Sequence, residues 1–495
     1  MKNFIKILAL LLVCIMLLPM AIACKNDEET ENESSADTEQ AGEVKKPIFE
    51  MTGLEERDIS DEVYVIRYSR LSEWAPKPID VSKLDAAKDT VSKAGYDRDR
   101  EFEDLTGAEL SYQGFDTLPN DFYGSNSEYA TIQILIQSGD ISDFDLLMMS
   151  TRCSGLLIAE QALTDLSEYD NLIHHDKPYY NSVINEQASI GGKQFIVTGY
   201  YTTGNIRGAL CTRVHNGLLT AQHQDDDKVD ELYQLALDHK FTLEALLRYD
   251  KGFATGANVE ANGTDKGTYV FTMDEYGGQG LFWTLGGTVA EKDNQGIPYV
   301  SVDDRVNIDL LSYIRDKVTK NSIAHIAPQS TGQEVFEEKR SMFLFGGLLG
   351  YNSNDNIDDR LLPAPLYNEG DEYRSLCGAW TTNVAGIPAA CADPELAAYC
   401  TEIYMALSYQ YVYPEFYEKT FGLKYVENEV ESQIFNLICD SMAIDIAPQF
   451  GWVDSSDTTI RNVITSDADT VGSTVSTYAS TINANIQKFL NDYEF

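Results

Sequence analysis

Three features of the chain predict an α/β fold. Between Glu62 and Met149 the pattern runs strand, helix, strand, helix, strand, an order that argues for helices packed on a sheet. The last of these strands, Phe144 with Leu146–Met149, is almost uninterruptedly apolar, as a strand covered on both faces must be. Before it, Ser125 and Glu128 have the spacing of a capping box. Tyr129, Ile132, Leu135 and Ile136 then recur at helical spacing, and Gly139 can close the helix in the left-handed conformation. Ile132, Ile134 and Ile136 also alternate as a strand would, so both readings of that segment stay open.

Taken in order, Glu62–Ser69 alternates as a first strand and leads into a loop carrying Trp74. Asp97–Leu105 is helix-like with Thr106-Gly107 as its stop, and Leu110–Phe115 returns as a strand. The buried strand ends at Ser150-Thr151-Arg152, and in open α/β sheets ligands collect beyond such carboxyl ends. Leu156–Leu166 reads as a helix, Gly191–Tyr201 as a strand, and Leu218–Leu247 as a charged helical stretch. Gly277–Gly287 holds five glycines around Phe282 and Trp283, which weakens helix and strand readings alike. Phe336–Phe345 reads as a helix passing into a strand, Asp393-Pro394-Glu395 starts a long helix, and the tail is helical from about Tyr478.

The N-terminus carries an address. Lys2 and Lys6 precede an apolar run, Ile7–Leu18, too short to span a bilayer and laid out as a secretory signal. It ends at Ala21-Ile22-Ala23-Cys24, where small residues before a cysteine resemble a bacterial lipobox, with Ala21 in the place of the usual Leu. Cleavage at an A-x-A site to release a free protein is the alternative. Lipidation of Cys24 would anchor the chain to the outer face of the membrane. Asp27–Glu43 has eight acidic residues and no basic one, so residues 24–57 are expected to form a solvated tether. The whole chain has 37 basic and 79 acidic side chains, a formal charge of −42, which argues against a nucleic-acid partner. Cysteines 153, 211, 377, 391, 400 and 439 form no C-x-x-C pair and no zinc-finger spacing, and are expected to be mostly buried thiols. No G-x-S-x-G, H-E-x-x-H or P-loop occurs. His174-His175-Asp176 reads better as a surface turn than as a metal site. Asn352–Asp359 lacks the glycine and final glutamate of a calcium loop.

Five further motifs fall in a telling order: Ser138-Gly139-Asp140 with Asp143-Phe144-Asp145, Ile190-Gly191-Gly192-Lys193-Gln194-Phe195, Phe336–Phe345, Leu362-Pro363-Ala364-Pro365, and Ile387-Pro388 with Asp393-Pro394-Glu395 and Ala397. Together they resemble the extracellular solute-binding proteins of bacterial ABC importers, in particular the family 1, sugar-binding lipoproteins. The resemblance implies a two-lobed, type II periplasmic-binding-protein-like fold closing like a hinged trap on its ligand. Lobe one would be residues 58–215 and 365–412, and lobe two 216–364 and 413–495. The cleft would be lined by Trp74, by Ser150, Thr151 and Arg152, by Tyr200 and Tyr201, by Asp274, Glu275 and Tyr276 with Trp283, and by Trp380 and Asn383. Sugars need flat aromatics for their C–H faces and polar groups for their hydroxyls. Each tryptophan reads as core or as such a platform. The pocket is the reading for Trp74, Trp283 and Trp380, and core or hinge for Trp452. The chain departs from the family where Leu348, not an aromatic, follows Phe345-Gly346-Gly347. The expected function is capture of a carbohydrate, an oligosaccharide, by a monomer without cofactor, metal or catalysis, and its delivery to permease subunits. The alternatives are a surface-tethered glycan-degrading enzyme and a sensing or adhesion module.

Overall fold

Continuous apolar runs mark most of the strands that lie inside the larger sheets. The computed structural model describes residues 46–493 apart from 70–89, 116–126, 203, 262, 275–276, 329–330, 349–357, 380, 423–427, 454–457 and 467–470. Within it the strands are β1 (Val63–Ser69), β2 (Glu109–Phe115), β3 (Leu146–Ser150), β4 (Leu210–His215), β5 (Tyr269–Asp274), β6 (Ala290–Lys292), β7 (Pro298–Val300), β8 (Ala324–Ala327), β9 (Ser341–Gly347), β10 (Asp359–Leu362), β11 (Ser375–Leu376), β12 (Asn383–Gly386) and β13 (Met442–Ala443). They form a four-stranded sheet, β12-β3-β1-β2, a five-stranded sheet, β10-β4-β9-β5-β8, and two small pairs. Both larger sheets are mixed: β1 runs parallel to β2 and β3, β5 parallel to β8 and β9, while β12, β4 and β10 enter antiparallel. The fold is α/β, with no barrel among the described residues.

Strand β3 is buried throughout, and its two faces serve two cores. Leu146 and Met148 pack with Tyr64 and Ile66 of β1 and with Ile403 and Leu407. Leu147 and Met149 join Ile132, Phe144, Leu157 and Phe195 on the other side. Helix Pro394–Tyr413, with Pro394 in its first turn and Asp393 capping Leu396 N–H, covers the first face. It carries Glu402 fully buried, where the carboxylate accepts the hydroxyls of Tyr179 (2.5 Å) and Tyr180 (2.6 Å) and bonds His174 Nδ1 (2.6 Å). A buried carboxyl needs such a full set of partners, so His174 of the His174-His175-Asp176 triplet is committed to Glu402.

The helix reading of 128–138 is the one realised, as Glu128–Ser138 closing on Gly139 at φ 82°. Its cap is Ser127, whose side chain accepts from Ala130 N–H, and Glu128 turns instead toward Ser150. Ser150 caps the next helix, Thr151–Ala159. Gly191–Tyr201 is not a strand. Gly191 and Gly192 form a turn at positive φ, and Asn185 Oδ1 takes the Thr198 N–H that a neighbouring strand would have used. The stretch 218–247 breaks into helices Asn216–His223, Lys228–Leu237 and Leu243–Leu247, separated at Gln224 and His239, both left-handed. The tail helix starts earlier than expected and spans Val471–Tyr493.

The chain passes from the smaller sheet to the larger between β3 and β4 and returns between β10 and β12. Strand β4 pairs with β9 and β10, so residues 210–215, assigned to lobe one, belong with the larger sheet. Residues 46–57, assigned to the tether, fold against helix Pro394–Tyr413: Ile48 and Leu54 are buried there, and Tyr399 hydroxyl donates to Glu55 C=O. Cys153, Cys211, Cys377 and Cys400 are buried free thiols, and Cys391 and Cys439 partly buried ones. No helix among the described residues is long and apolar enough to cross a membrane.

Candidate ligand-binding cavity

Where β5 and β9 end and β4 begins, the larger sheet opens onto a cavity of about 630 Å³. Its floor is built from Asp274 onward. The Asp274 carboxylate accepts Gly277 N–H (3.0 Å) and so starts helix Gly277–Thr284. The glycines that obscure this helix in the sequence are what let it dock, since a Cβ on Gly280 would stand 2.3 Å from Leu210 Cδ1. The helix delivers Trp283, 5 % exposed, to the cavity wall. The Arg374 guanidinium lies over the indole, 5.6 Å from its centroid.

Arg213 of β4 supplies a second fixed point. Its Nε and Nη2 reach Asp359 Oδ2 at 2.7 and 2.6 Å, Nη1 donates to Gln333 Oε1 at 2.7 Å, and the guanidinium covers the Phe336 ring. Burial pushes the Asp359 carboxyl up, while Arg213 opposes the shift. The end of β9 is bare backbone, Gly346 and Gly347, and Leu348 turns inward and is fully buried.

The opposite wall comes from the segment returning to the smaller sheet, Leu376–Ala379 and Thr381, together with Asp445 and Pro448. Two strand-like ties hold it: Cys377 N–H donates to Ala443 C=O and Ser375 N–H to Ser441 C=O, both at 2.8 Å. Asp445 caps helix Ile446–Gln449 through Oδ1 (3.1 Å to Ala447 N), and burial raises its carboxyl to about 6. A second cavity, about 690 Å³, lies beyond and shares Trp283 and Asp445 with the first.

Of the residues expected to line a cleft, Asp274 and Trp283 meet in this cavity. Ser150, Thr151, Arg152 and Asn383 stand behind its wall. Ser150 hydroxyl donates to Glu128 (2.6 Å), Thr151 hydroxyl to Ala379 C=O (2.8 Å), and Arg152 Nη1 to Pro448 C=O (2.9 Å). Asn383 is fully buried and bonds Asn205. Tyr200 packs edge-on against Tyr413 and Tyr417, and Tyr201 is buried beneath helix Pro394–Tyr413. Trp452 is core, stacked on Phe450. Trp74, Tyr276, Trp380 and Cys24 lie outside the described residues.

Sequence reasoning missed Arg213, Gln333, Arg374 and Asp445. Arg213 carried a usable signal, a lone charge in the otherwise strand-like run Leu210–Val214. Arg374 and Asp445 carried none, because their roles arise from neighbours far away in the chain. The site offers an indole, carboxylates, a guanidinium and open glycine backbone, groups that bind and orient a polar organic ligand. Neither a family model nor a curated protein matches the chain.

Proposed function

We propose that this chain is the lipid-anchored solute-binding component of an ABC importer, capturing a carbohydrate and handing it unchanged to membrane permease subunits. The observation that carries the reading is the cavity beyond the ends of β5 and β9, where Trp283 and the carboxylates of Asp274 and Asp445 line one space. An indole suits the C–H face of a sugar, and carboxylates accept its hydroxyls. The two sheets would form the two lobes of a type II trap, with the passages between β3 and β4 and between β10 and β12 as its hinge. Cys24 would hold it to the outer face of the membrane.

Titration of the purified protein with a panel of glycans tests this. A cognate glycan at 100 times its dissociation constant stabilises the fold by ~2.7 kcal/mol, and the glycan is recovered intact after long incubation. Glycan cleavage would favour the tethered enzyme. Absence of any thermal shift across the panel would remove the carbohydrate reading.

A further inference from the structure

Trp283 and Asp445 do not line one cavity alone; they line both, at what would be the neck between them. Each chamber, about 630 and 690 Å³, is by itself the size of a pocket for a compact ligand (~300–1,000 Å³). Asp445 Oδ1 is used as a helix cap, and Oδ2 takes no hydrogen bond among the described residues. Arg374, in a chain with 79 acidic side chains, makes no ion pair or hydrogen bond among the described residues and only covers Trp283.

The charge pattern of the second chamber narrows the ligand. Lys292 is committed, its ammonium donating to the carbonyls of Glu186 (2.6 Å), Gln187 (3.2 Å) and Ser189 (3.0 Å). Glu291 is likewise engaged by Thr288 and Tyr299 hydroxyls. What remains facing the space is Arg374, with the His239 ring bonded through Nδ1 to Asp371 C=O (2.9 Å), against Glu372, Asp440 and Asp445. An anionic ligand would meet that excess of carboxylates. A cationic one would meet a guanidinium already placed on the indole face. Hydroxyl groups suit both signs, donating to carboxylates and accepting from the guanidinium.

Resting on the carbohydrate reading, we infer that the ligand is an uncharged glycan chain that passes Trp283 and occupies both chambers, with Asp445 and Arg374 reading its hydroxyls at and beyond the neck.

Calorimetric titration of the full chain with linear ladders of one to six units tests it: cello-, xylo- and malto-oligosaccharides as neutral probes, oligogalacturonates as anionic ones and chitosan oligomers as cationic ones. The expected result is a neutral ladder whose affinity climbs at least tenfold between the disaccharide and the tetrasaccharide. Val183 lines the second chamber from an exposed position, so Val183→Trp should fold normally, narrow that chamber and abolish the gain while leaving the disaccharide within twofold. Arg374→Met, which removes the guanidinium from the Trp283 face without added bulk, should lower the affinity of the tetrasaccharide by a larger factor than that of the disaccharide. The inference is overturned if affinity levels off at the disaccharide, if both variants leave the longest chain unaffected, or if the anionic or cationic ladder binds tighter. Each of those results leaves carbohydrate capture standing. Binding of none of the ladders removes both readings together.

Discussion

Gly155 is the point at which packing behind the cavity can be tested most sharply. It lies in helix Thr151–Ala159 where that helix meets Ile446–Gln449. A Cβ added there would stand 2.0 Å from Gln449 O, 2.7 Å from its carbonyl carbon and 2.8 Å from Phe450 Cα. Ordinary C···O contacts lie near 3.3–3.6 Å, and all three obstructing atoms are backbone, which cannot rotate away. Gly155→Ala must therefore push the two helices apart by over ~1 Å. Overpacking of this kind costs ~1–3 kcal/mol, opposed by the ~1 kcal/mol that alanine gains over glycine inside a helix. For a body of roughly 450 residues, unfolding entropy near ~2.1 cal/mol/K per residue makes 1 kcal/mol about 1 °C in Tm. The net loss of ~0–2 kcal/mol should lower melting by up to about 2 °C, and on the proposed function glycan affinity should fall as well, because the displaced helix carries Pro448 and the Asp445 cap. Gly472→Ala is the control. It is also helical, yet its new Cβ would meet nothing within 4 Å, so that variant should not lose stability. If Gly155→Ala melts with Gly472→Ala and binds normally, the close approach of these helices is not as described.

Three further expectations follow from buried carboxyl groups. Burial pushes the Glu128 carboxyl from an ordinary 4.5 up to about 7, against the hydrogen bonds from Ser150. The folded state then holds its proton more tightly than the unfolded state. That contribution is fully present below about pH 4.5 and is lost as pH rises through about 7, on the order of 3 kcal/mol in all. Glu128→Gln should flatten this decline in denaturation measured between pH 5 and 8, and an unchanged slope would contradict it. Asp445, raised to about 6 by burial, accepts hydroxyls best when ionised. Glycan affinity should weaken as pH falls from 7 to 5, and Asp445→Asn should bind more weakly at pH 7 with a flat profile; a wild-type affinity independent of pH would remove Asp445 from the site. Glu402→Ala strips the acceptor from the Tyr179 and Tyr180 hydroxyls and should cost ~1–3 kcal/mol for each donor left unsatisfied, read by chemical denaturation, whereas a loss under ~1 kcal/mol would show that the hydroxyls find other partners.

The sequence disclosed those parts of the fold whose causes are local. Gly139 closes its helix in the left-handed conformation, β3 coincides with the apolar run, and Pro394 opens the long buried helix, because each depends on residues within a turn or two. Partnerships across the chain were not legible. Asp359 meets Arg213 from 146 positions away, and Thr198 loses its strand bond to an Asn185 side chain that alternation rules do not consider. The glycines of 277–284 misled for a related reason. Their cost to an isolated helix is local, whereas the docking against Leu210 that they permit is tertiary.

Arg152, expected from the sequence to contact a ligand, stands instead at one remove from the cavity. It follows the carboxyl end of β3, where a ligand contact was expected, but its backbone N–H holds Ala379 C=O at 2.9 Å and its guanidinium holds Pro448 C=O at 2.9 Å. Ala379 and Pro448 both line the first cavity. Those two contacts come from different stretches of chain, one returning to the smaller sheet and one leading to the tail helices. A single residue at the end of β3 thus ties together both parts of the wall, one through its backbone and one through its side chain. In the proposed trap, motion of one sheet relative to the other would carry that wall as a unit, so that Asp445 and the 376–381 segment approach Trp283 together rather than separately. Arg152 is on this view a positioning residue, and the chemistry of recognition rests with the groups it holds in place.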